Sequence, residues 1–242
     1  MRFSIVIATH SPGTKLSRAL DSILHQTFKD YEIVIQDNLS SDDETNQVLE
    51  QYQNQIKLIR QKDAGIYDAF NLALTHCSGD WVLFIGADDQ LADPTVLETI
   101  DSQLNQHANA NLLLGSIINQ NISGRWVPKT LQSKLTSRII WKNTVHQQGC
   151  LYNRNWLVQH PFPKDLKILG DYAIHLAAYF EKTPYIQTNT TICLCDANGI
   201  SKKFTKSLYQ EERRMKKESL PFHWYVINIP WIGIKYWIKS NF

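Results

Sequence analysis

Long apolar runs are missing from this chain. The N-terminal stretch Phe3 to Ala8 is too short for the core of an export leader and reads as a first strand. Near the other end, Leu220 to Ile238 has the length of a membrane span, but Pro221, His223, Asn228, Pro230 and Lys235 interrupt it, so spanning is not expected. Cysteine is sparse as well. Cys77, Cys150, Cys193 and Cys195 lack the spacing of paired metal half-sites and are too few for a disulfide scaffold in 242 residues. A reducing cytoplasm is the setting this implies, and the triplets Asn121-Ile-Ser and Asn189-Thr-Thr are then chance matches to a glycosylation signal. There is no G-x-G-x-x-G and no G-x-x-x-x-G-K-S/T, which disfavours a Rossmann dinucleotide site and a P-loop. Internal repeats and low-complexity linkers are also lacking, so one domain is the economical reading.

What is present is globular: 43% hydrophobic and 20% charged residues, enough chain to bury a substantial core. Net charge is only +2, yet unevenly spread. From Ser201 onward nine basic residues face three acidic ones, giving the tail +6 and the remainder −4. Such a tail suits an anionic surface. Phe222, Trp224, Tyr225, Trp231, Tyr236 and Trp237 follow the basic run Arg213 to Lys217. Aromatics interleaved with lysines fit either a lipid interface, over about residues 213–239, or a helix packed on the domain itself. Clustered rather than striped lysines on an acidic body make nucleic acid the weakest partner.

The first hundred residues alternate regularly. Residues 3–8 form an apolar run; Leu16, Ala19, Leu20, Ile23 and Leu24 recur at helical spacing; strand-like Tyr31 to Ile35 precedes a helix over Glu44 to Tyr52; Ile56 to Ile59, a helix from Ala69 to Cys77 and the run Trp81 to Ile85 follow. Strands alternating with helices predict an α/β fold with a mostly parallel central sheet flanked by helices. Asp93-Pro94 looks like the cap and first position of a helix reaching about Gln106. The second half is less regular: a strand over Asn111 to Ile118, a hairpin near Ser123-Gly124, a strand over Val145 to Tyr152, a helix over Asp171 to Phe180 and a strand over Tyr185 to Cys195.

Polar clusters follow each of the first four strands: Thr9-His10, Asp37-Asn38, Asp63-Ala-Gly65 and Asp88-Asp89. In a parallel sheet all four fall on one edge, where ligands of open α/β sheets sit. Adjacent carboxylates at a strand end suit a hard cation such as Mn²⁺ or Mg²⁺ bridging to phosphate oxygens.

In series these segments resemble the family 2 glycosyltransferases of the GT-A fold, over roughly residues 3–205. The elements are Ser4-Ile-Val-Ile-Ala-Thr-His10, Ile33-Val-Ile-Gln-Asp37-Asn38-Leu-Ser40-Ser-Asp42, Asp63-Ala-Gly65-Ile-Tyr67-Asp68-Ala-Phe-Asn71 and Ser78-Gly79-Asp80-Trp81 through Asp88-Asp89, similar to an exopolysaccharide or colanic-acid-type subgroup. The resemblance implies an inverting, metal-dependent enzyme that moves a sugar from a nucleotide diphosphate, here UDP, to a saccharide or lipid-linked acceptor. It implies donor contacts at Thr9, Asp37, Asp63, Asp68, Asn71, Ala87, Asp89 and His146, with Asp37 reading uracil. It places Asp88 on the metal-binding second acid of a D-x-D motif and Gly86 on the first, a departure that leaves Asp88 with waters and the diphosphate. Leu39 stands for the family's Gly, and Phe70 for an Arg often found before the Asn.

Asp171, in Ile168-Leu-Gly170-Asp171-Tyr172, matches the family's catalytic base at a helix start, where an Asp also serves as an ordinary N-terminal residue. His146-Gln147 resembles an acceptor-side pair and reads equally as structural. Asn198 to Lys203 resembles a loop that closes on the diphosphate, or is a solvated connector. Cys193-x-Cys195 reads as core packing. The domain is read as residues 1–205, with a nucleotide-sugar half over 1–105 and an acceptor half over 106–205, followed by a basic, aromatic C-terminal tail over 206–242. Two other classes remain: a non-catalytic nucleotide-sugar or glycan-binding module, favoured by Gly86, and a sugar nucleotidyltransferase, disfavoured by the glycine-poor loop Thr9 to Lys15.

Overall fold

A computed structural model of the protein describes residues 1–122, 128–196 and 205–241. β1 (Phe3–Thr9), α1 (Lys15–Leu24), β2 (Tyr31–Asp37), α2 (Asp43–Gln51), β3 (Lys57–Arg60), α3 (Ile66–Leu74) and β4 (Trp81–Gly86) realise the predicted alternation. A two-residue β5 (Gln90–Leu91), α4 (Val96–Leu104), β6 (Leu112–Gln120), β7 (Thr130–Gln132), β8 (Cys150–Asn153), α5 (Arg154–Gln159), α6 (Gly170–Phe180) and β9 (Tyr185–Asp196) complete the sheet and its cover. Two helices, α7 (Lys206–Ser219) and α8 (Phe222–Asn241), end the chain.

The sheet runs β3-β2-β1-β4-β8-β6-β9-β5, with β7 on β6. Its first four strands are parallel, β1 lying between β2 and β4 so that Thr9 faces Asp37 and Ala8 faces Gly86 across the ladders. From β4 onward the sheet is mixed: β8 is antiparallel to β4 and β6, and β9 is parallel to β6. Alternate residues of the central strands supply two cores. Ile5, Ile7, Ile33, Ile35 and Leu83 pack beneath α1, α2 and α4, while Val6, Val34, Val82 and Phe84 pack against α3 and α6.

Two expectations change. The cap of α4 is Thr95, not Asp93, whose carboxylate is turned to the Thr95 amide (2.9 Å) and hydroxyl (2.6 Å). The helix amide of Leu97 donates instead to Gln26 Oε1 at 3.1 Å, and Gln26 Nε2 donates to the Asp93 carbonyl at 2.8 Å. A side chain from the turn just after α1 does the capping, a bond worth about 1 kcal/mol. The strand expected over Val145 to Tyr152 is reduced to β8, preceded by a tight 3₁₀ turn at Gln147–Gly149. β6 contributes to this: Leu112 to Leu114 pair with Tyr152 to Cys150, but Ser116 to Ile118 pair with β7, so that edge of β6 is not open to residues 145–149. The hairpin expected at Ser123-Gly124 and the loop from Asn198 to Lys203 lie outside the described residues.

The tail is packed against the domain. α7 packs on α6, and Lys216 of α7 is wholly buried, its ammonium 3.0 Å from Glu212 and donating to Asn228 Oδ1 of α8 (2.8 Å) and the Trp141 carbonyl (3.1 Å). Lys235 of α8 reaches the same Glu212 at 2.5 Å.

Candidate active site

The carboxyl ends of β1, β2 and β4 form one rim. Thr9 is buried there, its hydroxyl oxygen without a hydrogen-bond partner. Asp37, ending β2, is completely buried and its carboxylate is fully engaged: the Ser40 amide donates at 3.0 Å, the Ser40 hydroxyl donates to the other oxygen, and Arg60 Nε donates at 3.0 Å. Arg60, from β3, also donates to the Ser40 carbonyl at 2.5 Å. Leu39, in the position of the family's glycine, has φ +53°, the left-handed region that glycine takes without strain.

Next along the rim, the Asp63 amide donates to Asn38 Oδ1 (3.1 Å), and the Asp63 carboxylate accepts from Gly65 N (3.0 Å); burial and the nearby Asp68 push its pKa up. Asp68 accepts from the Ala64 amide at 3.0 Å and pairs with Lys164 at 2.8 Å, which lowers its own. Asn71 is on α3, and both ends of its amide group bond the Phe162 backbone, at 2.8 and 3.0 Å. Asp63 is thus at the rim, whereas Asp68 and Asn71 tie α3 to the segment around residues 162–164.

Asp88 and Asp89 follow β4 with opposite settings. Asp89 is buried: Gly86 N and Asp196 N donate to it at 2.9 and 3.1 Å, Gln148 Nε2 approaches at 3.4 Å, and burial with the Asp88 charge raises its pKa to about 6. It fastens β4 to the end of β9. Cys193 and Cys195, read as core residues, are buried with their sulfurs within 4.8 Å of this carboxylate. Asp88 is exposed, with the Lys15 ammonium 4.0 Å away. Ala87, just before Asp88, is half-buried against the first core.

A Cβ at Gly86 would lie 2.7 Å from Asp89 Oδ2 and 3.0 Å from Asp88 Oδ1, so an acid in the first D-x-D position would displace the acids that follow. The donor set therefore fits Mn²⁺ or Mg²⁺ held through one carboxylate, Asp88, with remaining positions for water and diphosphate oxygens, the usual way Mg²⁺ is bound beside phosphates.

Asp171 opens the first turn of α6. Tyr67 Oη donates to it at 3.0 Å and Asn143 Nδ2 at 3.1 Å, so these hydrogen-bond partners are neutral, and burial holds its carboxyl above the usual range. Tyr67 also reaches the Ile168 carbonyl at 2.7 Å. A Cβ on Gly170 would meet the Tyr67 ring at 2.7 Å, so glycine there admits the tyrosine to the carboxylate. Segment 143–148 spans the two acidic centres: Asn143 touches Asp171 and Gln148 touches Asp89. His146 lies between them, its amide donating to Ser133 Oγ at 3.1 Å, and the Gln147 Nε2 beside it is buried without a partner.

Sequence reading missed Arg60, Tyr67, Asn143, Gln148 and Glu211. Glu211, from the tail, accepts from the amides of Lys167, Ile168 and Leu169 at 3.1, 2.7 and 2.8 Å, clamping the turn that leads into Asp171. Tyr67 did stand within a quoted motif; the others carry no local signal.

Residues 4–163 match the profile of glycosyl transferase family 2, and the chain belongs to that family. It is a glycosyltransferase with the GT-A fold, not a binding module or a nucleotidyltransferase. It is similar to the PGL/p-HBAD biosynthesis glycosyltransferase of Mycobacterium tuberculosis (strain ATCC 25177 / H37Ra), 28% identical over 181 residues, covering 73% of this chain and 69% of the relative. It is 33% identical over 197 residues to the poly(ribitol-phosphate) beta-glucosyltransferase of Bacillus spizizenii, covering 75% of this chain but only 30% of that protein. Among solved structures, S. aureus TarS residues 1–349 in complex with UDP-GlcNAc superposes with a TM-score of 0.74 at 22% identity, covering all of this chain and 74% of the other. The mannosyltransferase PcManGT of Pyrobaculum calidifontis, in complex with GDP-Man and Mn²⁺, gives 0.61 at 15% identity, covering 90% and 61%.

Proposed function

We propose that the chain transfers a sugar from a UDP-sugar, with inversion at the anomeric carbon, to a hydroxyl of a saccharide or lipid-linked acceptor in surface polysaccharide synthesis, at the cytoplasmic side of the cell membrane. The observation that carries this is Asp171: a buried carboxylate with neutral hydrogen-bond donors, joined by residues 143–148 to the rim that ends in Asp88. Relatives named for glucosyl and N-acetylglucosaminyl transfer, and a structural neighbour holding UDP-GlcNAc, support the donor class.

In this reading Asp171 takes the proton of the acceptor hydroxyl as its oxygen attacks the anomeric carbon from the face opposite the leaving diphosphate. Tyr67 and Asn143 orient the carboxylate and favour its ionised form against burial. The unpartnered Thr9 hydroxyl faces the base and ribose, and the Asp37–Arg60 pair, through the loop at Asn38 to Ser40 that it fixes, sets the uracil-reading side of the site. Asp88 would hold Mn²⁺ or Mg²⁺, and the ion would neutralise charge on the departing nucleoside diphosphate.

Thermal shift with UDP-, GDP- and dTDP-sugars, with and without Mn²⁺, tests the donor; UDP compounds stabilise most, and chelator removes most of the gain. Equal stabilisation by all three bases removes Asp37 as a uracil reader. The anomeric configuration of the product, read by NMR, tests inversion.

A further inference from the structure

Helix α8 is built inside out. The residues it turns to the protein include Asn228, Lys235 and Lys239, spaced as one helical stripe with buried Ile232. Asn228 meets buried Lys216, and Lys235 meets Glu212. The opposite face carries Phe222 (80% exposed), Val226, Ile227, Trp231, Ile234, Trp237 (60%) and Ile238, with no charged side chain among its exposed residues. An apolar stripe that long on a solvated helix normally faces a core or a partner. Here the side toward the protein is already taken, by the polar stripe together with Trp224, Tyr225 and Ile232.

The border of this face is basic. Exposed Lys142 lies beside Lys239, which is held below the usual lysine range by burial and by the neighbouring charges of Lys235 and Lys142, with Glu212 acting the other way. Exposed Lys206, Arg213 and Lys217 of α7 add to the positive charge of the tail. No helix among the described residues is long and apolar enough to cross a membrane, so the face is suited to lying flat rather than to spanning.

We propose that the outward face of α8 docks in the plane of an anionic phospholipid bilayer, its tryptophans and isoleucines entering the headgroup boundary and the lysines on its border meeting lipid phosphates. Indole rings and basic side chains both find partners at that depth. Charge selects lipid over a second copy of the chain: a two-fold pairing through this face would set one basic border against another.

Flotation of the full chain with phosphatidylcholine vesicles, and with vesicles also containing phosphatidylglycerol, tests the proposal. The bound fraction is expected to be about tenfold higher on the anionic vesicles and to fall with added salt. The double variant Ile234→Glu/Trp237→Glu, folded by its melting curve, is expected to lose at least about tenfold in binding. Lys142→Glu, which leaves the apolar face intact, is expected to bind anionic vesicles more weakly and phosphatidylcholine unchanged. Wild-type protein that stays with the solvent fraction overturns the proposal, as does binding that neither variant alters. Light scattering that shows a dimer converted to monomer by the double variant assigns the face to a second copy instead. Transfer to a soluble acceptor is a separate readout, so failure here leaves the catalytic reading standing.

Discussion

Asp37, at the carboxyl end of β2, and Asp171, in the first turn of α6, are both carboxylates, and their surroundings differ in the way that matters for chemistry. Asp37 faces a guanidinium and two donors from Ser40, so every oxygen is committed to an opposite charge or a fixed donor. Such a group anchors a loop. Asp171 faces a phenol and an amide, with burial raising its pKa. A carboxylate in that setting is able to change its proton without breaking an ion pair. In the proposed function the β1–β4 half of the rim holds charge in place, and the α6 half moves a proton.

The most severe way to break this contrast is Asp171→Asn, which keeps the shape and removes the base. It should lower kcat by about 10³-fold while leaving the thermal shift given by UDP-sugar intact. A loss of donor binding of equal size would make Asp171 part of the donor site. Asp88→Asn should cost about 10²-fold in kcat/KM and abolish the difference between Mn²⁺-loaded and chelated protein. If the variant responds to Mn²⁺ as wild type does, the cation is held elsewhere.

The β1–β4 half was legible because its information is local. Each strand is an apolar run, and the polar cluster after it reaches the rim whatever the rest of the chain does; Thr9, Asp37 and Asp88 are there for that reason. The α6 half is assembled from distant segments. Tyr67 and Asp171 are 104 positions apart, and the Gly170 that lets them meet reads as an ordinary helix start. Residues 145–149 carry strand-like composition, but that edge of β6 pairs with β7. In α8 the sequence displays aromatics and lysines at once; which side faces the protein is decided by Glu212 and Trp141, on other elements. Glu211 sits in a tail that composition sets apart from the domain, yet it clamps the turn before Asp171.

A finer probe of the α6 half is the position of its acid limb. Asn143 donates to the ionised form of Asp171, so Asn143→Ala should raise the carboxyl pKa and move the acid limb of the kcat/KM profile to higher pH by about one unit. The sign is fixed: losing a donor to a carboxylate favours its protonated form, and a base is then lost earlier as pH falls. A downward shift, or none, means that another group sets the limb.

The smallest effect expected is that of Glu211→Gln. One acidic side chain receives three successive backbone amides at the entrance to α6, and glutamine keeps a single oxygen and loses the charge that strengthens those bonds. The turn at residues 167–169 then holds Asp171 and the Ile168 carbonyl, and through it Tyr67, less firmly. We expect about a fivefold fall in kcat, corresponding to about 1 kcal/mol, with the donor KM and the acid limb unchanged, because no group touching the donor or the carboxylate has been altered. A general loss of stability would lower the melting temperature and affect every kinetic parameter through the amount of folded enzyme. A fall in kcat alone, at an unchanged melting temperature, separates positioning of the base from simple attachment of α7, and makes the tail a working part of the catalytic half.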